Sequence, residues 1–187
     1  MRTSLLVGDK ARFAAEVGAP GPLCRVDLWA AGRWLTCDDN MVYTPAFRRE
    51  VLAAAAWLRS GAGLPVPFSG LSAEAAHRRL VPRPGHDGDD GDAGGAGAEL
   101  GDALRGRYRA LLWGPTTDNL IAHLFREEAR EKAREEDRLT ITLEFWREDH
   151  LREHPEDAGT VFVAELPVEE LLTVLDAVAT ALGAGTG

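Results

Sequence analysis

The feature that most constrains this chain is a strict alternation in its last third. From 139 to 146, Leu139, Ile141, Leu143 and Phe145 share one face of an extended chain, and Thr140, Thr142, Glu144 and Trp146 share the other. Successive side chains of a strand point to opposite faces, so the pattern predicts a strand with one buried face. Such strands belong to antiparallel or mixed sheets, because parallel sheets are buried on both sides. A second alternation runs from Leu23 to Trp29, with Cys24, Val26 and Leu28 on one side and Arg25, Asp27 and Trp29 on the other. Ala31-Gly32 can then turn the chain into a partner strand at about 33–37, since Gly supplies the positive φ of a tight hairpin. Ser4 to Val7, stopped by Gly8-Asp9, and Thr160 to Leu166 read as two further strands.

Helical signals appear in four places. Thr44-Pro45 offers an N-cap and a first-turn proline, and Phe47, Val51, Ala55 and Leu58 then form one apolar stripe. Ser72 can cap a short helix through Leu80. Pro167 precedes Glu169 and Glu170, carboxylates suited to a first helical turn, and Val168, Leu171, Leu172, Leu175, Val178 and Leu182 complete an amphipathic helix. Leu120, Ile121, Leu124, Phe125, Ala129 and Ala133 also fit a helical stripe, with a strand over 119–125 as the alternative. The expectation is an α+β fold with a mostly antiparallel sheet. That sheet contains 23–29, 33–37, 139–146 and 160–166, with two to four amphipathic helices packed on one face.

At 187 residues the chain is expected to form a single domain, 1–187. The segment 85–98 is almost entirely Gly, Asp and Ala; it can bury nothing to offset its ordering entropy and is expected to be a mobile insert. The net charge of −9 argues against nucleic acid or anionic lipid as partner, since both reward Lys and Arg. No apolar run approaches the length of a membrane span, and the N-terminal apolar run is too short for a signal peptide. Two cysteines, Cys24 and Cys37, do not make a disulfide framework. A cytoplasmic protein is expected.

Four motifs invite a chemical reading. His150-Leu151-Arg152-Glu153-His154 spells H-x-x-E-H, an inverted zincin run. Pro155 follows at once and the flanks are fully polar, so a solvated loop or helix end is the better account. The acids of 87–92 fall out of the EF-hand register and read as a charged linker. Neither cysteine has a His nearby in sequence, so a Cys–His nucleophile finds no support, and Cys37 is expected opposite Val26. Val7-Gly8-Asp9-Lys10 lacks the spacing of a phosphate loop. No enzyme, metal or cofactor is implied. What stands out is Trp29 beside Asp27 and Trp146 beside Glu144 on the less apolar strand faces. Trp among carboxylates is what a protein-binding surface uses, unless a helix covers these rings.

The run Leu5-Leu6-Val7-Gly8-Asp9-Lys10-Ala11-Arg12-Phe13-Ala14, the strand from Leu23 to Trp29, the Gly32 hairpin and the helix after Thr44 together resemble immunity family 42. The closing strand–helix unit from Val161 through Pro167 is similar to that family's ending. The likeness covers about 4–58 and 139–182. Members are small cytosolic proteins of bacterial polymorphic toxin systems. The resemblance implies a protein that binds and neutralises a cognate toxin domain, expected to be basic. Asp27, Trp29, Asp38, Asp39, Glu144 and Trp146 are then the candidate toxin contacts, on one shared sheet face. A small regulatory or scaffolding protein is the competing expectation, and a metal-dependent hydrolase using the H-x-x-E-H run is a lesser one.

Overall fold

The strand expected at 139–146 runs over Arg138–Phe145 and is the middle strand of a three-stranded antiparallel sheet. This is seen in the computed structural model, which describes residues 4–61, 65–68, 70–81, 103–127 and 137–184. The fold is α+β, built on two antiparallel sheets rather than one. The first holds β1 (Leu5–Asp9), β2 (Phe13–Val17), β3 (Leu23–Ala30), β4 (Arg33–Trp34) and β5 (Met41–Tyr43). Its order is β1-β2-β3-β4, with β5 also paired to β3. The second holds β6 (Leu120–Glu127), β7 (Arg138–Phe145) and β8 (Phe162–Pro167) in that order. The expected single sheet is therefore corrected: 23–29 and 33–37 fall in one sheet, 139–146 and 160–166 in the other. Alternation reports that a face is buried, not which sheet the strand joins.

The hairpin reading holds in detail. Trp29 pairs with Trp34 and Ala30 with Arg33, so Ala31-Gly32 is a two-residue turn. Both turn residues have positive φ, 52° and 74°, as a type I′ turn requires. The partner strand is shorter than expected. Leu35 still donates its amide to the Leu28 carbonyl (2.8 Å), and the Thr36 hydroxyl then replaces ladder bonds, accepting from the Leu28 amide (3.1 Å) and donating to the Val26 carbonyl (3.1 Å). Cys37 thus leaves the ladder before it can face Val26, whose amide bonds to the Asn40 carbonyl instead. Gly8 sits in β1 with φ +90°; a Cβ there would lie 2.3 Å from the Phe13 carbonyl oxygen. Only glycine fits this closely opposed pair of strands.

Helix α1 (Thr44–Arg59) buries Phe47, Val51, Ala55 and Leu58, the expected stripe. Tyr43, not Thr44, occupies the N-cap, and the Thr44 hydroxyl donates to the Gly21 carbonyl. Helix α2 (Ala73–Leu80) is capped by Ser72, whose oxygen accepts from the Ala75 amide. The short α3 (Glu148–Glu153) leads into the last strand, and α4 (Val168–Gly183) closes the fold. Helix α4 packs on α1, β1, β2 and β8, α1 also meets β5, and their buried side chains share one continuous apolar core with Leu139, Ile141, Leu143 and Phe145. Residues 103–108 are also helical. No helix among the described residues is long and apolar enough to cross a membrane.

The region from 120 onward is strand, not helix, through Glu127. Its helical appearance has a physical cause: α2 covers the second face of this sheet. Ala76 and Leu80 pack there with Tyr108 and Phe125, so β6 is buried on both sides and its alternation disappears. The Arg/Glu-rich continuation to 136 and the insert at 85–98 lie outside the described residues.

Polar groups sit in this second layer. His77 is fully buried, its Nδ1 2.9 Å from the Thr142 hydroxyl and 3.0 Å from His123 Nδ1. Burial, followed by the positive charge of Arg109, pulls His123 from its ordinary value of 6.5 down to about 4. The native state therefore binds this proton less readily than the unfolded chain does. The stability it confers is complete above pH 6.5 and is lost as the pH falls toward 4. Urea denaturation at pH 7.5 and 4.5 should show wild type losing about 2–3 kcal/mol more than His123→Gln over this interval. Equal losses in the two proteins would show that His123 is not the titrating group.

Candidate functional site

Among the described residues, two places concentrate chemistry or exposed apolar surface. The first lies where the loop after β4 meets α3. Cys37 Sγ is 3.5 Å from His150 Nδ1, although the two residues are 113 apart in sequence. His150 Nε2 is 3.1 Å from Asp157 Oδ2, and the other Asp157 oxygen lies 3.5 Å from the Arg33 guanidinium. Asp38 Oδ1 is 3.5 Å from His150 Nδ1. Asn119 Nδ2 donates to Asp38 Oδ2 (2.9 Å) and to the Leu35 carbonyl (3.1 Å). The His150 ring stacks on Phe145 at 4.0 Å between centroids and an angle of 13°.

This arrangement corrects two readings. His150 is 3% exposed, not solvated, because its ring covers the end of the β7 apolar face. Cys37 does have a His beside it, brought there by tertiary contact. His154, in contrast, is half exposed and lies 3.5 Å from Glu156; its ring is 4.9 Å from that of His150, but its ligand atoms are not part of the group within mutual reach. Among the described residues, the metal-ligating atoms within mutual reach are those of Cys37, Asp38 and His150.

A Cys–His–Asp row can serve nucleophilic catalysis, but only if the thiol ionises. Burial, and then the adjacent Asp38 carboxylate, push the Cys37 thiol up to about 12. The free thiol therefore stays protonated at neutral pH and is a poor nucleophile. The described clefts open elsewhere on the surface.

The second place is a pair of adjoining clefts between α1 and the segment 109–116. One, of about 380 Å³, is lined by Trp57, Ala53 and Leu171. The other, of about 480 Å³, is lined by Leu23, Met41 and Tyr43, with Asp39 at its edge. Glu50, Leu112 and Trp113 line both. Leu111 adopts a left-handed φ of 55°, which a branched side chain rarely takes. The Thr117 side chain fixes that conformation by donating to the Leu111 carbonyl and accepting from the Trp113 amide. Leu112 is thereby held out between the clefts at 59% exposure. Sequence reasoning missed this face. Its residues come from β3, β5, α1 and an irregular segment, and nothing in their local pattern marks a surface.

The six sequence-predicted contact residues do not share one sheet face. Asp27 is fully buried in the first sheet, where its carboxylate accepts from Trp34 Nε1 (3.1 Å) and Asn40 Nδ2 (2.7 Å) and pairs with Arg25. Trp29 is half-buried, with the Lys10 ammonium 3.6 Å above its ring. Glu144 belongs to the second sheet and faces His77 under α2. Trp146 is 54% exposed, and its amide bonds to the Asn119 carbonyl. Asn119 therefore links Trp146 to Asp38, while Asp39 reaches the apolar cleft. The shared-face expectation fails because it assumed a single sheet. No protein-family model, curated protein or solved structure matches the chain.

The placements separate structural from exposed residues. Asp27→Ala removes the acceptor of two side-chain donors and an ion pair, and should cost about 2 kcal/mol in chemical denaturation. Trp146→Ala should change stability by no more than about 0.5 kcal/mol. The reverse order would contradict both assignments.

Proposed function

We propose that this protein is an immunity-type protein that binds and neutralises a cognate toxin domain through the apolar face centred on Leu112. The observation that carries the reading is the strained turn at Leu111 that holds Leu112 in solvent between two apolar clefts. Leu23, Met41, Tyr43 and Trp57, all at least 40% exposed, surround it. Contiguous exposed apolar surface of this kind marks interaction sites more often than isolated exposed side chains do. Tyr and Trp around a central aliphatic anchor are the side chains that dominate binding energy in protein interfaces. Asp39, Glu50 and Arg109 line the clefts, and the net charge of −9 favours a basic partner. The resemblance of 4–58 and 139–182 to immunity family 42 supports the same role, and the protonated Cys37 thiol does not favour an enzyme.

A secreted protein encoded beside this gene, with a C-terminal toxin domain, is the partner to purify. Leu112→Asp should weaken binding to that domain at least tenfold, a loss above about 1.4 kcal/mol, without lowering the melting temperature. Asp39→Asn combined with Glu50→Gln should slow association and flatten its salt dependence. Unchanged affinity in Leu112→Asp would remove this face from the reading. Failure of the wild-type chain to protect cells from the toxin would remove the reading itself.

A further inference from the structure

We propose that Cys37, Asp38 and His150 bind one zinc ion, and that Asp157 and Asn119 orient the ligands. The three donor atoms form a nearly equilateral triangle. Cys37 Sγ to His150 Nδ1 is 3.5 Å, Asp38 Oδ1 to His150 Nδ1 is 3.5 Å, and Cys37 Sγ to Asp38 Oδ1 is 3.7 Å. Tetrahedral zinc, with bonds of about 2.3 Å to sulfur and about 2.0–2.1 Å to nitrogen and oxygen, separates its ligand atoms by roughly 3.3–3.6 Å. The triangle thus matches one face of the tetrahedron to within a few tenths of an ångström. Water completes the fourth position, because Asp38 lies at the surface and leaves an entry path.

The residues behind the ligands have the pattern that metal sites use. A ligating His commonly donates its remote N–H to a carboxylate, which fixes the tautomer and strengthens the donor nitrogen. Asp157, buried, can only accept from His150 Nε2, so the lone pair of Nδ1 faces Cys37 and Asp38. The Arg33 guanidinium holds the far side of Asp157. Asn119 occupies one oxygen of Asp38 and leaves the other free for the ion. Thr36, bonded twice to β3, fixes the backbone from which Cys37 and Asp38 project.

The donor set selects the metal. Thiolate, imidazole and carboxylate together suit zinc, whereas magnesium and calcium take oxygen donors. Cys37 and Asp38 placed side by side are two anions when both ionise, and a divalent cation removes their repulsion. Binding replaces the Cys37 S–H proton with the metal and releases that proton to solvent. The bound ion would connect the loop after β4 to α3, joining the first sheet to the segment that follows β7. This set is distinct from the H-x-x-E-H run, of which it uses only His150.

Cobalt(II) in place of zinc gives the direct readout. The full chain, stripped with chelator under reducing conditions, should take up one equivalent of cobalt. It should show a near-ultraviolet thiolate-to-cobalt charge-transfer band with the intense visible bands of tetrahedral cobalt. Zinc should displace the cobalt and raise the melting temperature, since an ion that binds only the native state stabilises it. Cys37→Ser should abolish the charge-transfer band, and Asp38→Asn should weaken zinc binding tenfold or more. Asp157→Asn should keep the band while weakening affinity about 10–100-fold. His154→Gln and Cys24→Ser should bind as wild type. No charge-transfer band, a band that survives Cys37→Ser, or loss of binding in His154→Gln would each overturn the proposal.

Discussion

The packing of α4 against α1 and against strands of both sheets is the contact on which the rest of the molecule depends. Eight side chains of α4 are buried, from Val168 to Leu182, and one core runs through them from β2 and β3 to β7 and β8. Neither sheet could bury its apolar face without this pair of helices, since a small sheet must cover one face to be stable. Polar contacts tighten the joint without driving it. Arg48 donates to the Ala179 carbonyl across the helix pair, and Arg12 reaches Glu170 from the β1–β2 turn. These are exposed or half-buried pairs that contribute little beside the apolar burial they border.

Away from α4, the seam between the sheets is polar and specific. Arg33 lies over the Phe162 ring and beside Asp157, and Asn119 spans from Leu35 to Asp38. His150 sits at the centre of this seam, stacked on Phe145 at the end of the β7 core face. Buried polar groups in such a position must find partners or cost stability, so the seam fixes how the two halves meet more tightly than apolar contact could. The same requirement gathers Cys37, Asp38, His150 and Asp157 into one cluster. The Leu112 face is built differently: a strained turn holds an apolar side chain in solvent, an arrangement that packing alone does not reward.

How much of this was legible depended on whether a signal was local. The alternation of 23–29 and 139–146, the Ala31-Gly32 turn, the α1 stripe and the α4 helix were readable because each is a period or a turn that neighbouring residues set together. The strand at Leu120–Glu127 was masked because α2 buries its second face, and burial on both faces erases the period. Asp27 looked like a surface acid beside Trp29; its partners Trp34 and Asn40 arrive from later in the chain and let it be buried.

The α+β class, the strands at 23–29, 139–146 and 160–166, and the apolar stripes of the helices at 45–58 and 168–182 could be read from local pattern, whereas β2, β5 and the strand character of Leu120–Glu127 could not. Hydrophobic periodicity is a property of a few consecutive residues, and it is legible wherever an element buries only one face. The division of the strands into two sheets, the cover of α2 over the far face of the second and the meeting of Cys37 with His150 are tertiary outcomes. Those outcomes depend on contacts between residues far apart in the chain, 113 positions in the case of Cys37 and His150. They form only when α1 and α4 bring the sheets together, and no local pattern encodes them.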